Sequence, residues 1–316
     1  MTTDLDRRVD ASLEVLAQFL HRGRSSADVG SRLLTLTHEG VATAALGGKH
    51  LRSRLVHVSS GEVSGSRLHA ATVFGACVDL LHGAFLIHDD IIDRDDLRRG
   101  LPTVHAAVRE EFADAHLGTS VAIVAGDLGI TGALRLLVDS DLEDPLVRRS
   151  MRLLTAAAQE TIIGETLDIA HAAAGETDLD RVRLSNRLKT SEYSFATPLK
   201  LGALAAGRDP EPMTPIAHAL GHAYQAADDI AGAIGHSADT GKQAAGDVIH
   251  GRATLVTTRL GRESQLERVI SDVVAEGTAQ LTEARRLIEA TELTACIRAG
   301  LHDITDDIEG RLQAHA

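Results

Sequence analysis

An all-α, antiparallel helical bundle forming one domain over residues 1–316 is the fold this sequence predicts, on three observations. Apolar residues recur at three- and four-residue intervals through most of the chain, as in Leu13, Leu16, Ala17, Leu20 and again in Val73, Cys77, Leu80, Leu81, Ala84. That is the period of a helix with one buried face. Strict apolar–polar alternation over strand lengths is absent. The core must be aliphatic, since five Phe, two Tyr and no Trp leave Ala, Leu, Val and Ile to fill it, a composition suited to packed helices.

In chain order, loop signals appear at Gly47-Gly48, Asp95 to Pro102, Ser140 to Pro145, Ala174 to Asp178, Gly207 to Pro215 and Gly235 to Gly246. About ten or more helices are expected in all. The six prolines, Pro102, Pro145, Pro198, Pro210, Pro212 and Pro215, fall in or beside the expected helix boundaries, where a missing N–H is tolerated. No loop is long or biased enough to link two domains, and no solenoid-type repeat is present.

The formal charge of −13 argues against nucleic acid, whose binders carry a basic surplus or stripe. A polyanionic substrate would need a few placed cations, or metal ions gathered by carboxylates. Cys77 and Cys296 lack CxxC spacing and read as reduced thiols, so a cytoplasmic location is expected. The N-terminus lacks a signal-peptide pattern, and no uninterrupted apolar run reaches the roughly 18 residues of a membrane span.

Ile87-His88-Asp89-Asp90-Ile91-Ile92-Asp93 closes an apolar helical segment that begins near Ala70. Asp89 and Asp93 are four apart and share a helix face; Asp90 projects nearby. A solvated acidic helix end is the plain reading of such a cluster. Acids are unfavourable at a helix C-terminus, however, where the macrodipole is already negative, so a positive partner is expected. A hard divalent cation shared with substrate phosphates serves that role. Arg98 and Arg99 follow at loop distance, and arginine matches phosphate oxygens bidentately.

This stretch, His88 to His105 with DDxxD followed by RRG, resembles the first aspartate-rich region of trans-prenyl diphosphate synthases. The resemblance extends along most of the chain. Gly47-Gly48-Lys49-His50-Leu51-Arg52 is similar to the family's GGKxxR, Lys189-Thr190 to its KT pair, Tyr224 to Asp229 to its second aspartate-rich region, and Gly241-Lys242 to the GK after it. The overall feel is that of the actinobacterial geranylgeranyl and farnesyl diphosphate synthases.

The resemblance implies a bundle of the isoprenoid synthase type with a central cavity. It also implies that Gly48, Lys49, Arg52, His82 and Arg99 hold the diphosphate of isopentenyl diphosphate, while Arg98, Lys189 and Lys242 hold that of an allylic co-substrate. Asp89 and Asp93, with Asp90 beside them, would bind two Mg²⁺ ions and Asp228 a third. Thr190 and Gln225 would steady the reacting carbon skeleton. Gln225, Asp228 and Asp229 are spaced to share one helix face, and His82 lies two turns before Asp89. Glu165 and Asp168 stand where the family often has GQxxD, with Glu in place of Gln. A homodimer is expected.

The sequence departs from the family pattern at Gly232, where a third carboxylate is lost from the second region. His50 stands for arginine, Ser53 for proline, Arg252 for lysine and Ala253 for arginine. Phe85, four residues before Asp89, would floor the tail pocket while Ala84 leaves room beside it, which implies a product of about fifteen to twenty carbons, geranylgeranyl diphosphate by preference. Two alternatives remain. A non-catalytic subunit of a heteromeric synthase is motivated by the departures. A class I terpene cyclase is disfavoured because aromatics are 2% and the residues four and eight after Asn186 are Thr190 and Ser194, with no glutamate to complete a metal triad.

Overall fold

The computed structural model describes residues 3–26, 30–175, 177–234, 252–261 and 265–314. The helices are α1 (Asp4–Ser26), α2 (Arg32–Leu46), α3 (Leu51–Ser60), α4 (Gly65–Asp93), α5 (Val104–Phe112), α6 (Ala115–Val138), α7 (Asp144–Ala174), α8 (Leu179–Asn186), α9 (Thr197–Ala205), α10 (Met213–Ile234), α11 (Leu255–Leu260), α12 (Leu266–Ala290) and α13 (Ala295–Gln313). A two-residue hairpin, β1 (Leu97–Arg98) and β2 (Leu101–Pro102), is the sheet among the described residues. The all-α expectation is borne out. The chain forms two compact units, Met1–His57 with Ser64–Met151, and Val58–Val63 with Arg152–Ala316.

In the first unit α1, α2 and α6 pack on α4. By length and composition α4 and α6 could each cross a membrane, but α4 is almost wholly buried within the protein. An apolar helix enclosed on all sides is a core helix. α6 approaches α4 closely, because a Cβ on Gly129 would sit 2.7 Å from the Ala84 Cβ. Ala84 is fully buried there. The room expected beside Ala84 is therefore taken by α6.

In the second unit α8 and α9 are joined by a π-helical segment, Arg187–Ala196, whose wide turn is sealed by the Thr197 N–H donating to the Glu192 carbonyl. Pro198 lies beside a boundary as expected, in the first turn of α9 where the π segment gives way to α-helix. Proline has no N–H to offer an α-ladder, and the change from π to α geometry falls one residue before it. Such π segments frequently mark functional sites, and Lys189-Thr190 lies in this one.

One carboxylate ties four helices of this unit together. Glu276 of α12 accepts from Arg183 of α8 at 2.9 and 3.0 Å, from His222 of α10 at 2.7 Å, and from Arg259 of α11. Burial pushes the Glu276 pKa up, but these three hydrogen bonds outweigh it and hold the carboxyl far below its ordinary range. A lowered folded-state pKa contributes stability that is complete above the unfolded value and lost as pH falls toward the folded one. Glu276→Gln is thus expected to cost on the order of 2–3 kcal/mol at neutral pH. The deficit should shrink as the pH falls below about 4.5. Urea midpoints measured from pH 7 to pH 3 check this, and a deficit independent of pH would refute it.

Candidate active site

The acidic cluster occupies the last turn of α4. The helix stops at Arg94, whose left-handed φ of 58° turns its N–H back onto the carbonyls of Asp90 and Ile91, a C-cap of the αL kind. Arg98 returns from β1 to the cluster, its Nε donating to Asp90 at 2.5 Å and its Nη2 to Asp89 at 3.1 Å. Burial by itself would lower the Arg98 pKa, but Asp89, Asp90 and Asp95 raise it. This guanidinium supplies the positive partner that an acidic helix C-terminus requires. Asp90 is 5% exposed and is committed to Arg98, whereas Asp89 and Asp93 are half-buried.

The expected loop between Asp95 and Pro102 is the hairpin, with Leu97 opposite Pro102 and Arg98 opposite Leu101. Its two tip residues, Arg99 and Gly100, have φ of 53° and 75°, the requirement of a type I′ turn. The glycine of RRG thus has a structural cause. At the tip, the Arg99 guanidinium reaches the turn between α2 and α3. A Cβ on Gly48, whose φ is 101°, would meet Arg99 Nη2 at 2.6 Å, and one on Gly47 would meet Nη1 at 2.7 Å. The paired glycines therefore make a seat for Arg99, which joins two motifs about fifty residues apart. Lys49 is exposed beside this turn and Arg52 is buried one residue into α3.

His50 and Ser53, two of the departures, have a common partner that sequence reasoning missed. Asp79, 2% exposed within α4, lies 2.9 Å from His50 Nδ1 and accepts from the Ser53 N–H at 3.4 Å. A proline at 53 would have no N–H to give. A lone acid inside the apolar run of α4 was the available signal. His82 has its pKa driven well down by burial, then by Arg52, Arg99 and Arg98, against a smaller opposing effect of Asp89. It is a neutral imidazole with one N–H to donate and one nitrogen to accept.

In the second unit Lys189 is held from α7, its Nζ 2.9 Å from Glu165 Oε2 and 2.9 Å from Asp168 Oδ2. The π segment and α7 are in backbone contact at this point, because a Cβ on Gly164 would lie 2.2 Å from the Lys189 nitrogen. Thr190 is half-buried next to it. On α10, Asp228 and Asp229 part company. Asp228 is exposed, while Asp229 is 2% exposed and accepts from Gln225 Nε2 at 2.7 Å, from the Leu255 N–H at 2.8 Å and from Asn186 Nδ2 at 3.4 Å. Adjacent helical residues point about 100° apart, so the expected shared face divides into a solvent acid and an anchor for the first turn of α11. Ala253 is buried just ahead of the α11 N-cap, Thr254. Lys242 lies outside the described residues.

Among the described residues no three His, Cys, Asp or Glu side chains converge as a ready-made metal cage. The donors at the end of α4 are oxygen-only, which fits a hard cation such as Mg²⁺. That ion keeps several waters and is commonly held by one or two carboxylates plus substrate phosphates.

The sequence matches the profile of the polyprenyl synthetase family over residues 36–291. A geranylgeranyl diphosphate synthase of Methanosarcina mazei is 29% identical over 254 residues, 79% of this chain and 73% of that protein. One from Cereibacter sphaeroides is 29% identical over 292 residues, 89% of this chain and 94% of that protein. The crystal structure of geranylgeranyl pyrophosphate synthase from Corynebacterium glutamicum, complexed with isoprenyl diphosphate and magnesium, superposes with a TM-score of 0.89 at 27% identity. It covers 98% of this chain and 100% of that one. The carboxylate–arginine cluster on α4, the Gly47-Gly48 seat and the Lys189 clasp thus belong to a member of the polyprenyl synthetase family, a prenyl diphosphate synthase that acts as a short-chain trans-prenyltransferase.

Proposed function

We propose that this enzyme condenses isopentenyl diphosphate with dimethylallyl, geranyl or farnesyl diphosphate and releases chiefly geranylgeranyl diphosphate, working as one catalytic domain over residues 1–316. The observation that carries the proposal is the α4 cluster, where paired carboxylates, Arg98 and the seated Arg99 stand at a helix end at which acids are unfavourable without positive charge. The single uninterrupted family match over residues 36–291 supports the one-domain reading.

Asp89 and Asp93 would hold two Mg²⁺ ions and Asp228 a third; bound there, the ions supply charge stabilisation for the departing allylic diphosphate. Arg98 and Lys189, and Lys242 outside the described residues, would share that load, because placed cations stabilise the negative charge developing on the leaving diphosphate. Lys49, Arg52, Arg99 and the neutral His82 N–H hold isopentenyl diphosphate, with Gly48 giving Arg99 its seat. The double bond of isopentenyl diphosphate attacks the allylic cation, and the released diphosphate takes the proton, so no side-chain base is needed. Thr190 and Gln225 orient the carbon skeleton.

Two further expectations belong to this reading. Ile123, Val124 and Val138 on α6 are 46%, 58% and 58% exposed, an apolar face that a second copy of the chain in a homodimer would cover. Both cysteines are free thiols, in keeping with a cytoplasmic enzyme.

The test incubates the purified protein with Mg²⁺, isopentenyl diphosphate and each allylic diphosphate, and measures product length by mass spectrometry. Twenty-carbon product from every primer is expected; no condensation with any primer would establish the non-catalytic subunit instead. Phe85, half-buried one turn before Asp89, is the expected floor of the tail pocket. Phe85→Ala should shift the main product to twenty-five carbons or more, and an unchanged distribution would reject that role.

A further inference from the structure

We propose that Glu165 is a positioning residue that sets the charge of the Lys189 clasp and thereby tunes the affinity for the allylic diphosphate; this rests on the reading of Lys189 as a diphosphate ligand. Glu165 and Asp168 are three residues apart and share one face of α7. Each places a carboxylate oxygen 2.9 Å from Lys189 Nζ. Their side chains are 18% and 20% exposed, and Lys189 is 23% exposed, so the trio is only partly screened by water. Gly164, next to Glu165, permits the backbone contact that brings Lys189 within reach.

Lys189 thus faces two carboxylates at equal distance where one would balance its charge. A single acid suffices to orient a lysine, so the second adds a like charge where the reading requires an anion to bind. Lys189 must exchange at least one of these carboxylates for phosphate oxygens when substrate arrives. Glu165 thus holds the ammonium in place in the free enzyme and opposes its capture by diphosphate.

The test measures steady-state kinetics of Glu165→Gln, Glu165→Leu and Lys189→Ala in the full-length enzyme with Mg²⁺, using farnesyl diphosphate as the allylic substrate. Glu165→Gln keeps a hydrogen-bond acceptor for Lys189 and removes one negative charge. Its KM for farnesyl diphosphate is expected to fall by roughly three- to tenfold, with the KM for isopentenyl diphosphate unmoved. The gap from wild type should narrow as ionic strength rises, a dependence that a packing role would not show. Glu165→Leu should lose kcat that Glu165→Gln retains, because only glutamine can still orient the ammonium. If Lys189→Ala raises the farnesyl diphosphate KM while Glu165→Gln leaves it unchanged, the role of Glu165 is overturned and that of Lys189 stands. If Lys189→Ala leaves that KM unchanged, the underlying reading of Lys189 fails and this proposal with it. Identical behaviour of the Gln and Leu variants would refute positioning.

Discussion

Asp89→Ala is expected to cut turnover by on the order of 10²- to 10³-fold, the loss seen when one preorganised stabiliser of transition-state charge is removed. Asp89 lies near the solvent end of the core helix, half-buried, and accepts from Arg98 Nη2 at 3.1 Å. Arg98 keeps its shorter bond to Asp90, so the hairpin should stay in place and the thermal midpoint should move by no more than a few degrees. Pre-steady-state turnover together with circular dichroism melting separates the two effects. Near-normal turnover would remove Asp89 from the metal site, and a collapse of the melting curve would make it a structural residue.

Gly164→Ala is expected to disturb both the packing of the π segment and the chemistry at Lys189. The added methyl would lie 2.2 Å from the Lys189 nitrogen, 2.7 Å from the Leu188 carbonyl carbon and 2.8 Å from the Lys189 Cα. All three are backbone atoms, so no rotamer change relieves the clash, and the π segment must move away from α7. Overpacking of this kind costs about 1–3 kcal/mol, a fall of several degrees in the midpoint. Displacing Lys189 by roughly 1 Å is expected to lower kcat/KM about 10²-fold. Gly23→Ala is the control, since a Cβ there meets nothing within 4 Å. Wild-type stability and kinetics for Gly164→Ala would disprove the close approach of the π segment to α7.

Much of the site was legible in the chain because its parts are local. The three- and four-residue apolar period specifies helices, and Asp89 with Asp93 share a face through helical geometry alone. The demand of an acidic helix end for positive charge is equally a local fact. Other features were not legible. The sequence marked Arg98 as a substrate ligand but did not show its attachment to Asp90 and Asp89, because that depends on a hairpin whose tip requires two left-handed residues. His50 and Ser53 read as a lost cation and a lost proline until α3 met α4 and both were found on Asp79. Pro198 marked a helix boundary, but that this boundary is a change from π to α geometry shows only in the structure.

By itself the sequence determined the all-helical fold and the family, since each follows from periodicity or from motifs within a few turns of chain. Tertiary structure alone decided which acids are spoken for. Asp90 is given to Arg98, Asp79 to His50, Asp229 to the first turn of α11, and Glu165 with Asp168 to Lys189. The physical reason is that a carboxylate's role is fixed by burial and by the donors that reach it. Here those donors come from residues 8 to 29 positions away in the chain, beyond what local spacing can encode.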